Sequence, residues 1–200
     1  MDNVLANLAG INCLVFSNDG YMIVQKREKV LIRPGEACSG ASGTVTFMDI
    51  QHACGSGGRL ANLDALREKT EELGLSRSYH RKRRFLGASR ELIRGGAPEF
   101  FYSIDVDMKA EEICGLRRQD VEGERHAIPS GGLKSIIDST SGIEELKRHF
   151  WALREEIIRR TKAPMSVPLL TNLVFWAWAN CPKMVGQASM SQLLAASTSD

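Results

Sequence analysis

The chain has 200 residues, 43% of them hydrophobic and 25% charged, with a formal net charge of +2. That length supports one domain with a sizeable core and a short appendage, and the composition excludes a chain disordered throughout. The small net charge excludes a globally basic nucleic-acid binder but leaves room for a local basic patch.

In chain order, Ile11 to Phe16 reads as a strand, Asn18-Asp19-Gly20 as a tight turn, and Tyr21 to Lys26 as the returning strand of a hairpin. Lys29 to Arg33 extends the sheet before Pro34-Gly35 stops it, and Ser42 to Val45 is a further short strand. Phe47 to Gly58 ends in Gly55-Ser56-Gly57-Gly58 and reads as a loop. A helix is predicted from Asn62, the N-cap, to Leu73, with Gly74 as the C′ residue. Arg84 to Leu92 and Phe100 to Val106 read as strands joined by a turn at Gly95-Gly96-Ala97-Pro98, and Lys109 to Gly115 as a short helix. Ile143, Leu146, Phe150, Leu153 and Ile157 recur at helical spacing over Ile143 to Thr161. A second helix, Leu169 to Asn180, is apolar on nearly every side, and must either insert between the domain and the preceding helix or meet a second subunit. Strands, a helix, strands and then helices imply an α/β (α+β) fold. The expected organisation is a domain over 1–140, a helical extension over 141–185 packed on it or on a dimer partner, and a flexible tail over 186–200.

The cysteines (Cys13, Cys38, Cys54, Cys114, Cys181) are odd in number and form no C-x-x-C pair. The histidines show no metal-ligand spacing relative to them, so neither a zinc site nor a disulfide framework is expected, and a reducing cytoplasm fits. Met1 to Gly10 lacks a basic region before a long apolar stretch, which makes a poor signal peptide. Val167 to Cys181, the most apolar run, is broken by Pro168, Thr171 and Asn172 and falls short of the ~20 residues of a membrane span. No membrane partner is expected.

The chemistry concentrates on the central helix. With about 100° per residue, Glu72 falls about 40° to one side of Glu68 and Glu71 about 60° to the other. Leu63, Leu66, Thr70 and Leu73 take the opposite half. Crowded carboxylates are costly unless a cation neutralises them, and oxygen donors without imidazole or thiolate suit a hard cation, Mg²⁺ or Mn²⁺. The plainer reading is a solvated helix with ion pairs along its face.

The order of residues adds a second argument. Arg67-Glu68-Lys69-Thr70-Glu71-Glu72-Leu73-Gly74-Leu75 resembles the second half of the Nudix box, R-E-U-x-E-E-x-G-U with U aliphatic, at every position but Lys69. Gly20 to Arg27, Arg33-Pro34-Gly35-Glu36 and Ser42-Gly43-Thr44-Val45 resemble the flanks. The box also departs from the family pattern: Arg59 stands at the upstream glutamate position and Ala53 at the upstream glycine position. An insertion after Val45 that splits the box explains this, and so does a degenerate domain with weakened hydrolysis. The resemblance implies a Nudix-like α/β/α sandwich with a mixed sheet. It implies metal ligation by Glu68, Glu71 and Glu72, a catalytic set of Arg67, Glu68 and Glu71, and Arg27 and Arg33 as substrate-binding residues. The implied activity is hydrolysis of a nucleoside diphosphate linked to another moiety, by water attack. The alternative is a catalytically silent Nudix-like module that binds a nucleotide or a protein. Glu99, Glu111 and Glu112 are candidates for a further glutamate serving as base.

Two weaker signals remain. Arg81-Lys82-Arg83-Arg84 reads first as a solvated strand entry and second as a contact for an anionic substrate or RNA, with Tyr79 stacking on a base. Phe150, Trp151, Phe175, Trp176 and Trp178 read as core or as the interface of a homodimer.

Overall fold

β1 (Ala9–Phe16) and β2 (Tyr21–Arg27) form the hairpin that Asn18-Asp19-Gly20 predicts, with Gly20 at φ +87° in the left-handed region. The structure is a computed structural model and describes residues 9–28, 34–45, 74–75, 77–91, 96–116, 123–130 and 143–180. β3 (Ala37–Ser39), β4 (Ala41–Val45), β5 (His80–Glu91), β6 (Ala97–Val106) and β7 (Gly123–Pro129) complete a seven-stranded sheet among these residues. The helices are α1 (Ala110–Gly115), α2 (Ile143–Thr161) and α3 (Val167–Asn180). β1 runs parallel to β6 and every other pairing is antiparallel, so the sheet is mixed and the fold α+β.

β1 and β2 pair only beside their turn, at Val15–Ile23 and Phe16–Met22. Beyond it they diverge, and β3 and β4 fill the opening as a V. β3 pairs with Val24 to Lys26 of β2, and β4 with Ala9 to Cys13 of β1. Gly40 is the apex. A Cβ there would stand 2.6 Å from the Ile23 carbonyl oxygen, so a side chain would force the V away from β2.

Alternation along the strands builds two cores. Ile11, Cys13, Val15, Ile23, Ala41, Val45, Tyr102, Ile104 and Val106 gather on one face with Leu75 and with Ala110 and Ile113 of α1. Leu14, Phe16, Met22, Val24, Ala37 and Ile128 gather on the other under α2 (Leu146, Leu153, Ile157) and α3 (Leu169, Leu173, Val174, Trp176, Ala177). Helices therefore flank the sheet on both sides.

The helix expected from Ile143 to Thr161 has those bounds, and the second apolar helix starts two residues earlier than its pattern suggests, at Val167. α3 does not insert between α2 and the sheet. Both helices dock directly on it, α2 over β7, β2 and β3, and α3 over β1, β3, β5 and β6. This arrangement leaves Trp178 and Val167 exposed, at 46% and 53%. β5 begins at His80 rather than Arg84, and Ala97-Pro98 belongs to β6 rather than to the turn. β3 and β7 are additional strands. The expected extension over Lys29 to Arg33, the loop from Phe47 to Gly58, the helix from Asn62 to Leu73 and the tail over 186–200 lie outside the described residues. Among the described residues no helix is long and apolar enough to cross a membrane.

Candidate functional site

The box segment lies between β4 and β5, and its last two residues are described. Gly74 has φ +78°, the left-handed conformation that a helix C′ glycine adopts at no steric cost. Leu75 is fully buried within the core of Ile11, Cys13, Val15, Ile23, Tyr102 and Ile104. The box therefore ends on the sheet face opposite α2 and α3. Arg33, Arg67, Glu68, Glu71 and Glu72, and the departures at Arg59 and Lys69, lie outside the described residues. Among the described residues no cluster of three or more His, Cys, Asp or Glu side chains could hold a metal ion.

Of the predicted catalytic set, metal ligands and substrate-binding arginines, Arg27 alone lies among the described residues. It ends β2 on the side of Ile23, because residues two and four apart on a strand share a face. Its guanidinium Nη2 donates to Ser42 Oγ at 2.8 Å, across the V from β2 to β4. Ser42 Oγ lies 3.8 Å from Cys38 Sγ, and the Cys38 thiol donates to the Gln25 carbonyl at 3.2 Å. The Arg27 backbone is also fixed: its N–H donates to the Glu36 carbonyl at 3.0 Å, and its carbonyl accepts from Gly35 N–H at 2.7 Å. The guanidinium is thus held in a fixed orientation at the end of β2. Ser42 and Gln25 were not singled out from the sequence. Their role depends on the V that brings β4 beside the end of β2, and no local pattern encodes it.

The three candidate bases separate. Glu99 is 3% exposed, and its carboxylate accepts from Asn12 Nδ2 at 2.5 Å. Asn12 alternates with Ile11 and Cys13, so this pair lies on the α3 side of the sheet, away from Leu75. Gly10 stands opposite Glu99 in the parallel register, and a Cβ at Gly10 would overlap the carboxylate. Glu99 is thus a buried structural carboxylate, on the wrong side to serve chemistry on the Leu75 face. Glu111 and Glu112 are exposed on α1, which packs on the Leu75 face. Glu112 Oε2 accepts the Lys109 N–H at 2.8 Å and closes the start of α1. Asp19 Oδ1 accepts the Ala110 N–H at 3.0 Å, tying the hairpin turn to the same helix. Hydrogen bonding from Ser17 holds the Asp19 carboxyl below its ordinary range. Arg125 Nη1 donates to the Ile113 carbonyl at 2.7 Å and secures the other end of α1 from β7.

Burial pushes the Tyr102 hydroxyl up to about 12, with Cys13 adding to the shift, and burial pushes the Cys13 thiol up as well. Neither group exchanges a proton near neutral pH. Neither Cys13 nor Cys114 forms a disulfide.

No protein-family model matches the chain. No curated protein matches it either. Solved structures do. One is DR0079 from Deinococcus radiodurans, at 14% identity over 76% of this chain and 82% of that one, with a TM-score of 0.43. Another is a chain of the complex between the C-terminal domain of mouse MUTYH and human PCNA, at 13% identity, 93% and 97% coverage and a TM-score of 0.42. A third is RenU, a Nudix hydrolase from M. smegmatis, at 11% identity, 90% and 86% coverage and a TM-score of 0.40. Similarity at this level assigns no activity, substrate or partner to this chain.

Proposed function

We propose that the chain is a metal-dependent hydrolase that cleaves a diphosphate bond in a nucleoside diphosphate linked to another moiety. The observation that carries this reading is the end of the box. Gly74 adopts the left-handed turn and Leu75 enters the core where the R-E-U-x-E-E-x-G-U pattern calls for a glycine and an aliphatic residue. They do so on the sheet face to which the Arg27 side of β2 belongs. In this reading Glu68, Glu71 and Glu72 hold Mg²⁺ or Mn²⁺, and Arg67 braces a glutamate. Arg27 and Arg33 receive phosphate oxygens of the substrate. The bound cation supplies Lewis-acid activation and charge neutralisation at the diphosphate. With Glu99 on the far side of the sheet, Glu111 and Glu112 are the remaining candidates for the base. The proposed setting is a reducing cytoplasm, which suits a buried Cys13 that forms no disulfide.

The test is a screen of nucleoside diphosphate derivatives with Mg²⁺ or Mn²⁺, reading the released phosphate products. Turnover that depends on the cation and is lost in Glu71→Gln and Glu72→Gln supports the proposal. Metal-independent turnover, or turnover unchanged in both variants, overturns it. A second reading, a silent module that binds a nucleotide or a protein, is favoured by Arg59 and Lys69 at positions where the family pattern has a glutamate and an aliphatic residue. Nucleotide binding without turnover across the whole screen would select it.

A further inference from the structure

We propose that β5 is a docking ledge for single-stranded nucleic acid, with Phe85 stacking on a base and Arg81 and Arg83 meeting the phosphates. Charge is the first observation. Five basic residues and one acidic residue stand on β5, while the whole chain carries only +2, so the rest of the protein is net acidic. The basic excess is thus concentrated on one strand. β5 is an edge of the sheet: among the described residues it pairs with β6 alone.

The second observation is exposed aromatic surface within that charge. Phe85 is 45% exposed and Tyr79, just before the strand, is 40% exposed. Phe85 lies opposite Tyr102 and Arg83 opposite Ile104, so both leave the sheet on the Leu75 face. The Phe85 ring leans on Tyr102 at 5.3 Å between centroids, which supports one side of it while nearly half of its surface stays open. Arg81, Lys82 and Arg83 are exposed. Arg81 lies 3.8 Å from Asp107 in an exposed pair that contributes little and yields readily to a phosphate. Arg84 takes no part: it donates to Asn180 Oδ1 at 2.9 Å and to the Ala179 carbonyl at 2.7 Å, closing the end of α3.

Edge protection explains the charges, since basic residues keep an edge strand from pairing with another chain. It does not explain open aromatic rings among them. An acidic peptide would use the charges and the free edge but not the rings. A duplex would hide its base faces. An extended single strand uses both features, because every base has a π-face and every nucleotide a phosphate. The surface stands independently of the hydrolase reading.

The experiment is fluorescence anisotropy with labelled oligouridylate and oligothymidylate of equal length, a duplex, and unlabelled polyglutamate as competitor, using the full chain at two salt concentrations. Single strands are expected to bind better than duplex, and less tightly at high salt. Phe85→Leu keeps apolar cover over Tyr102 but removes the stacking face. It should weaken binding on the order of tenfold, and Phe85→Trp should restore it. Arg81→Gln and Arg83→Gln should each flatten the salt dependence. A preference for either sugar supports the ledge and identifies the natural strand. Absence of binding, equal binding of duplex, displacement by polyglutamate at equivalent charge, or full affinity in a folded Phe85→Leu variant overturns it.

Discussion

The two faces of the sheet are built differently. One is closed by α2 and α3, which bring Leu146, Leu153, Ile157, Leu169, Leu173, Val174 and Trp176 onto Leu14, Phe16, Met22 and Val24. The other holds the six-residue α1, the anchor at Leu75, and polar residues at its margin. The first face uses long helices and large apolar side chains, as stability requires. On the second, the apolar core gives way to Arg27 at one side and to Arg83 and Phe85 at the other. The comparison teaches that, among the described residues, the long helices pack on one face while exposed charged and aromatic side chains border the other.

The largest expected effect falls on the proposed metal ligands. Under the proposed function, Glu71→Gln and Glu72→Gln should each cut diphosphate hydrolysis by orders of magnitude while leaving thermal unfolding almost unchanged, since each would remove a charge proposed to bind the metal. Parallel measurement of turnover and melting checks this. Equal losses of stability and activity would mean that these carboxylates are structural.

Trp176→Ala probes the first face. Trp176 is 6% exposed and its ring lies 5.4 Å from Phe16. Truncation should cost about 3–5 kcal/mol, read from denaturant unfolding, with the folded fraction keeping its activity. Leu75→Ala should cost about 2–5 kcal/mol and also lower the activity of the folded fraction, because Leu75 anchors the end of the box. If both variants lose activity only in proportion to unfolding, the functional distinction between the faces fails.

Glu99→Gln separates structure from catalysis. The buried carboxylate accepts from Asn12, so the variant should lower the melting temperature without changing the pH profile of turnover. A profile that loses a limb would return Glu99 to the chemistry.

The smallest effect is a pH dependence of the first face. Burial holds the His126 imidazole below its ordinary range, outweighing the attraction of Glu124, whose carboxylate lies 3.6 Å away. The unfolded chain therefore takes up the proton first. The stability linked to His126 is present above the unfolded value of about 6.5 and is lost as pH falls through it, levelling off below the folded value. His126→Gln should flatten the melting temperature between pH 7.5 and pH 5, a range set by ordinary histidine titration at about 6.5. An unchanged slope would assign that pH dependence to other groups.

Much of the described fold follows from sequence signals that act within a few residues. Asn18-Asp19-Gly20 specifies a tight turn because Gly20 alone among its neighbours takes φ +87° without strain. The apolar spacing from Ile143 to Thr161 predicts α2 at its observed bounds, and the alternation in β1 and β2 predicts strands. Gly74-Leu75 ends the box pattern in a left-handed residue followed by a buried one, also a local requirement. The tertiary structure decided what depends on partners distant in the chain. It inserted β3 and β4 between β1 and β2, and so placed Ser42 against Arg27. It made a strand of Gly123 to Pro129 by pairing it with β2, although its own residues alternate poorly. It turned Glu99 toward Asn12, and it laid α3 beside α2 on the sheet instead of beneath it. A strand's period reveals that it has two faces but not which face meets which layer, because that choice is made by contacts between segments far apart in sequence.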